Sequence, residues 1–144
     1  MAKTSPVPEC LSFIICEGVV EDARSHNKSI FNCFNEIRAR AFPVIHDRLT
    51  VFLALTNGHG TVNLRIRLSK DDKEPYVTLR GELSFPSPLH VVDMVFNMRQ
   101  VPLPEPGAYR IEAWVDDRMV SQRRLMVLNA AEGEEHGNQG HRAT

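Results

Sequence analysis

This sequence has no Cys-x-x-Cys pair, no apolar run long enough for a membrane helix and no bulk charge. The three cysteines, Cys10, Cys16 and Cys33, are an odd set with no Cys-x-x-Cys spacing. That leaves no disulfide framework and fits free thiols in a reducing compartment. Seventeen Lys and Arg stand against eighteen Asp and Glu, a formal net charge of −1, so no bulk field draws the chain to nucleic acid or to anionic lipid. The apolar run Leu11 to Cys16 is too short, and too closely preceded by Pro6, Pro8 and Glu9, for a signal peptide. No later stretch is long enough to span a membrane as a helix. The expected location is cytoplasmic, with neither membrane nor nucleic acid as partner.

Catalytic signatures are missing too. There is no Gly-x-Ser-x-Gly, no phosphate loop and no dinucleotide fingerprint, and the carboxylates are scattered through turns. None of the six histidines has His-x-His or helical i, i+4 spacing with an acidic neighbour. His26 and His59 are the two that loops at one end of a sandwich could bring together, and His136 and His141 belong to the polar tail. Cys16 and Cys33 sit in apolar strand contexts, where a thiol is expected to be buried and inert. No catalytic residue, metal ligand or cofactor is therefore assigned. The Asn27-Lys28-Ser29 sequon reads as a turn.

Alternation with a period of two is what the sequence has in abundance. Tyr109, Ile111, Ala113 and Val115 share one face of a strand, and Arg110, Glu112 and Trp114 share the other. A second strand follows the turn Asp116-Asp117, with Val120, Leu125 and Val127 as apolar markers of mixed parity. That mismatch predicts a β-bulge near Gln122-Arg123-Arg124. Leu49, Val51, Leu53 and Leu55 alternate likewise, as do Val62, Leu64, Ile66 and Leu68. Asn57-Gly58 between them reads as a type I′ hairpin turn, with Leu53 facing Val62, Val51 facing Leu64 and Leu49 facing Ile66. Leu11 to Cys16 and Ser29 to Ile37 read as two further strands, and Arg38 to Arg48, holding Phe42-Pro43, as an extended connection. Val77, Leu79, Leu83 and Phe85 mark another strand, with Gly81 a bulge or close-approach point, and Val92, Met94, Phe96 and Met98 one more. Two prolines before that last strand and three after it predict connections that cross between sheets.

These segments describe an all-β fold, an antiparallel β-sandwich of about eight strands with immunoglobulin-like or related topology and no substantial helix. Residues 10–128 form the domain. Residues 1–9 are expected to be flexible, and 129–144, rich in Gly, Glu, Asn and Gln, to be a disordered tail.

Phe13-Ile14-Ile15-Cys16, the segment from Phe42-Pro43 to Leu49, Leu55-Thr56-Asn57-Gly58, and Pro106-Gly107-Ala108-Tyr109 through the last hairpin resemble a family of small bacterial proteins, a domain of unknown function. The resemblance covers most of residues 11–128 and implies a compact β-sandwich, with no activity or catalytic residue to carry over. Pro-Gly-x-Tyr followed by Trp-Val-Asp-Asp is also similar to the last strands of immunoglobulin-like modules.

Arg65, Arg67, Lys70, Lys73, Arg123 and Arg124 are read as the wet faces of strands rather than as a nucleic-acid stripe, because no aromatics interleave with them. The candidate site is a patch formed by Trp114, Arg110 and Met119, the last expected directly across the hairpin from Trp114. The N-terminal strand, through Ile14 and Cys16, is the alternative cover for that face. The expected function is a non-enzymatic interaction or structural module binding a protein partner or a second copy of itself. The alternative is a small-molecule or metal-dependent enzyme with its site in the end loops.

Overall fold

A computed structural model describes residues 7–130. All nine of its elements are strands: β1 (Glu9–Glu21), β2 (Lys28–Cys33), β3 (Glu36–Ala39), β4 (Val44–Thr56), β5 (Gly60–Lys70), β6 (Val77–Phe85), β7 (Val92–Leu103), β8 (Gly107–Val115) and β9 (Arg118–Asn129). They form a four-stranded sheet in the order β2-β1-β4-β7 and a five-stranded sheet in the order β3-β9-β8-β5-β6. β9, β8 and β5 stand where strands G, F and C of an immunoglobulin-type sandwich stand, with β6 as C′, and β1, β4 and β7 take the places of A, B and E. Of the two ends expected to be flexible, residues 1–6 and 131–144, with His136 and His141, lie outside the described residues. β1 begins at Glu9, and β9 continues through Asn129.

The core is the meeting of two inward faces. Phe13, Ile15, Leu49, Val51, Leu53, Leu55, Phe96, Met98 and Leu103 come from one sheet. Val62, Leu64, Ile66, Leu68, Tyr109, Ile111, Ala113, Val115, Leu125 and Val127 come from the other, and all are buried in a single cluster. Each fully buried aliphatic or aromatic side chain contributes about 1.5–3 kcal/mol.

Several expectations need correction. The alternating segments on either side of Asn57-Gly58 do not form a hairpin. β4 pairs with β1 and β7, whereas β5 pairs with β6 and β8. Leu53 faces Phe13 and Met94, and Val62 faces Leu83. Asn57, not Gly58, takes the positive φ (61°), and Gly58 is buried beneath Phe85, whose ring a Cβ there would strike. Ser29 to Ile37 is not one strand either. The Phe34 N–H still bonds to Ile15 O on β1 (3.1 Å), while Asn35 O already accepts the N–H of Met126 on β9 (3.0 Å). The chain therefore changes sheets between those two residues, and β3 runs parallel to β9. Arg123 fastens the change, with its guanidinium on Asn35 Oδ1 (2.7 Å) and Phe13 O (3.3 Å). Residues 44–48, expected in a connection, belong to β4. The bulge in β9 comes slightly earlier than expected. Ala113 pairs with Ser121 and Trp114 with Met119, so Val120 is the extra residue.

The proline-bearing connections do cross between sheets. Pro86 and Pro88 lie on the way from β6 to β7, Pro102 sits at the end of β7, and Pro104 and Pro106 lie on the way to β8. Tyr109, 1% exposed, braces the second crossing. Its hydroxyl donates to Glu105 O (2.7 Å) and accepts from Glu105 N–H (3.2 Å), the bond of the tyrosine corner of Greek-key sandwiches. Tyr109→Phe keeps the ring and removes both bonds, and is expected to cost about 1 kcal/mol. Urea unfolding of the two proteins checks this, and an unchanged midpoint would show that the corner is incidental.

Candidate functional site

Alternation along β8 sends Tyr109, Ile111, Ala113 and Val115 into the core and Arg110, Glu112 and Trp114 to the outer face of the five-stranded sheet. β1 belongs to the opposite sheet, so the N-terminal strand does not cover Trp114. The ring is half-buried for another reason. Arg65 is its direct neighbour on β5, and the guanidinium carbons of Arg65 and Arg67 lie 5.7 Å and 4.7 Å from its centroid. A cation over an indole face is worth about 0.5–1 kcal/mol at an exposed site, since the ring face is negative. Arg65 is itself fixed by a bond to Asp116 O (2.7 Å).

Glu112 ties the row together. One carboxylate oxygen accepts from Trp114 Nε1–H (2.9 Å), and the other lies 3.0 Å from Arg110 Nε, close enough for an ion pair although off the line of a hydrogen bond. Met119 lies across from Trp114, as expected from the two-residue turn, and is 43% exposed. Trp114, Arg110 and Met119 thus share one surface.

Around them the sheet is cationic. Arg80 on β6 faces Arg65, and Arg124 on β9 faces Arg110. Six arginines, at positions 38, 65, 67, 80, 110 and 124, project from this face against Glu36, Glu82 and Glu112, with Arg38 paired to Glu36 at 3.2 Å. Beside Arg65 lies a shallow hollow of about 400 Å³, lined by Asn63, Arg80, Gly81, Asp116 and Asp117. Lys70 and Arg123, grouped with the stripe in the sequence, are engaged elsewhere. Lys70 holds Glu105 at 3.1 Å, which keeps that carboxyl below the usual range, and Arg123 spans the two sheets. Arg65 and Arg67 as partners of Trp114 escaped the sequence reading, because their contact depends on β5 pairing with β8, strands far apart in the chain.

On the outer face of the other sheet, Cys33, Cys16, Thr50 and Asn97 form one row across four strands. Thr50 Oγ1 donates its one hydroxyl proton within reach of both Asn97 Oδ1 (3.1 Å) and Glu17 O (3.2 Å). Cys16 is fully buried, but Cys33, expected to be buried, is exposed. Burial, and after it the nearby Cys33, pushes the Cys16 thiol up, against a weak bond to Gly18 O. His26 bonds Glu21 (2.9 Å) and His90 bonds Ser87 (2.8 Å). Among the described residues no three His, Cys, Asp or Glu side chains are grouped so as to hold a metal, and His26 and His59 are not brought into such a group.

The fold and this surface define an immunoglobulin-type β-sandwich with an arginine–tryptophan face. The chain belongs to a family of unknown function, DUF6941, whose model matches residues 11–128. No curated protein matches it significantly. Among solved structures it is similar to a β-glucosidase from Listeria innocua (11% identity, 81% of this chain, TM-score 0.47). It is also similar to one from Kluyveromyces marxianus (13%, 66%, 0.44). The chain spans 16% and 15% of the lengths of those two enzymes. An immunoglobulin-like protein from Pseudomonas aeruginosa is similar at 14% identity over 87% of this chain and 99% of that one, with TM-score 0.40. Likenesses this distant assign no activity.

Proposed function

We propose that this protein is a cytoplasmic, non-enzymatic interaction module, and that the outer face of its five-stranded sheet docks an acidic segment of another protein. The observation that carries this reading is Trp114 with the guanidinium groups of Arg65 and Arg67 against its ring and Met119 beside it. Trp, Met and Arg are the residue types enriched at protein contacts. Charge chooses among occupants. A two-fold dimer through this face would set arginines against arginines, which opposes association. Nucleic acid needs cations free to track phosphates, whereas Arg65 and Arg110 are already engaged by Asp116 and Glu112. An acidic segment can meet Arg80 and Arg124 while its apolar residues cover Trp114 and Met119.

Trp114 is the single tryptophan of the chain, so its fluorescence reports occupancy directly. Titration with a polyglutamate peptide is expected to give a saturable change that weakens with salt. Arg65→Gln with Arg67→Gln is expected to weaken binding by roughly tenfold or more, equivalent to about 1.4 kcal/mol. An equal response to polylysine, or tighter binding of a single-stranded oligonucleotide, would overturn the assignment of an acidic protein partner.

A further inference from the structure

Cys16 on β1 and Cys33 on β2 stand directly opposite each other. The bond from Phe34 N–H to Ile15 O (3.1 Å) makes Ile15 and Phe34 a hydrogen-bonded pair, so the adjacent pair, Cys16 and Cys33, is a non-hydrogen-bonded one. Facing Cα atoms at such positions approach to about 4.5 Å, within the roughly 4.4–6.8 Å that a disulfide bridges. Both thiols lie on the outer face, because Ile15 and Phe34 beside them pack into the core. One is accessible and the other sits behind it: Cys33 is exposed, and Cys16 is 0% exposed. Cys10, the third cysteine, lies near the start of β1 opposite Leu55.

We propose that Cys16 and Cys33 form a redox modification site, a dithiol that closes to an intramolecular disulfide by exchange with a small-molecule disulfide such as oxidised glutathione. The Cys33 thiolate attacks one glutathione sulfur. The glutathione S–S bond breaks, a Cys33–glutathione bond forms, and one glutathione leaves as thiolate. The Cys16 thiolate then attacks Cys33 Sγ, the Cys16–Cys33 bond forms, and the second glutathione leaves. The protein pair loses two electrons, the glutathione disulfide gains them, and the two thiol protons end on the two glutathione molecules. The order follows from position: Cys33 meets the solvent, and Cys16, buried behind it, reaches only the Cys33 sulfur once the mixed disulfide has formed. The bridge would clamp β2, an edge strand of its sheet, to β1.

The test equilibrates the full chain in glutathione buffers from fully reduced to fully oxidised, quenches by alkylation, and reads intact mass and peptide maps. The expected result is loss of two hydrogens, a Cys16–Cys33 cross-linked peptide, Cys10 alkylated throughout, and a higher melting temperature for the oxidised form. Cys16→Ser is expected to trap glutathione on Cys33. Three results would each overturn the proposal. One is a wild-type chain that accumulates glutathione on Cys33 with Cys16 still reduced. Another is a bridge that includes Cys10. The third is three thiols that remain reduced across the whole range.

Discussion

Gly58→Val is expected to lower the unfolding free energy by about 3 kcal/mol, at the upper end of what overpacking a core costs, with a fall in melting temperature of roughly 10 °C. Gly58 is buried where the chain leaves β4 for β5, and the Phe85 ring lies where its Cβ would be. Phe85 is 5% exposed and belongs to the core cluster, so the ring cannot swing into water to make room. The cause is close approach, not backbone conformation, because the positive φ belongs to Asn57. Two variants separate the causes. Asn tolerates the left-handed region well, so Gly58→Asn would be mild if conformation mattered and severe if the ring is in the way. In a double-mutant cycle, Gly58→Ala should cost less when Phe85 is Leu, since the shorter side chain frees the space. Strictly additive costs would sink the packing account.

The same turn shows where sequence stops and structure begins. Period two says which residues of a strand face inward, and in β4, β5 and β8 every such assignment holds: Leu49, Leu64 and Tyr109 are all buried. It does not say which sheet the strand joins. Two inward faces can share a core as hairpin neighbours or from opposite sides of it, and Leu53 with Val62 satisfies the pattern either way. Asn57-Gly58 suits a tight hairpin turn, but the close pass of Phe85 requires glycine at position 58 equally well. Prolines are the better guide to crossings, since Pro lacks the N–H of a ladder donor and is confined to edges and ends of strands, as Pro102 is in the edge strand β7.

For the candidate site, what was legible was local. Trp114, Arg110 and Glu112 share a strand face by parity, and Met119 lies across a two-residue turn, so no distant pairing was needed. Arg65 and Arg67 lie against Trp114 through β5–β8 pairing, and no nearby signal encodes it. Cys33 was misplaced for a related reason. The burial of β2 follows no clean alternation, with Phe31, Asn32 and Cys33 all exposed, and Asn32 takes a left-handed φ of 55°. Asn32, a residue type that enters the left-handed region readily, is the one local sign that the alternation breaks there.

Trp114→Ala is expected to leave the protein folded and to weaken capture of an acidic partner by about thirtyfold or more, near 2 kcal/mol. The stability change should be small for a tryptophan. Its ring rests against two arginines on the outer face, not in the sandwich interior, so truncation removes cation–π contacts of about 0.5–1 kcal/mol each. A buried tryptophan would cost roughly 3–5 kcal/mol. Truncation also frees Glu112 from Trp114 Nε1, leaving its carboxylate to Arg110, so its negative charge is less well shielded in the middle of this face. Met119→Ala is the gentler comparison, because Met119 is more exposed and touches the same surface from β9. Paired urea melts and peptide titrations, the latter followed by calorimetry since the variant lacks the fluorophore, read both effects. A stability loss of 3 kcal/mol or more would place Trp114 in a packed interior. Wild-type affinity in a stable variant would remove this face from the list of contact surfaces, whatever the arginines around it bind.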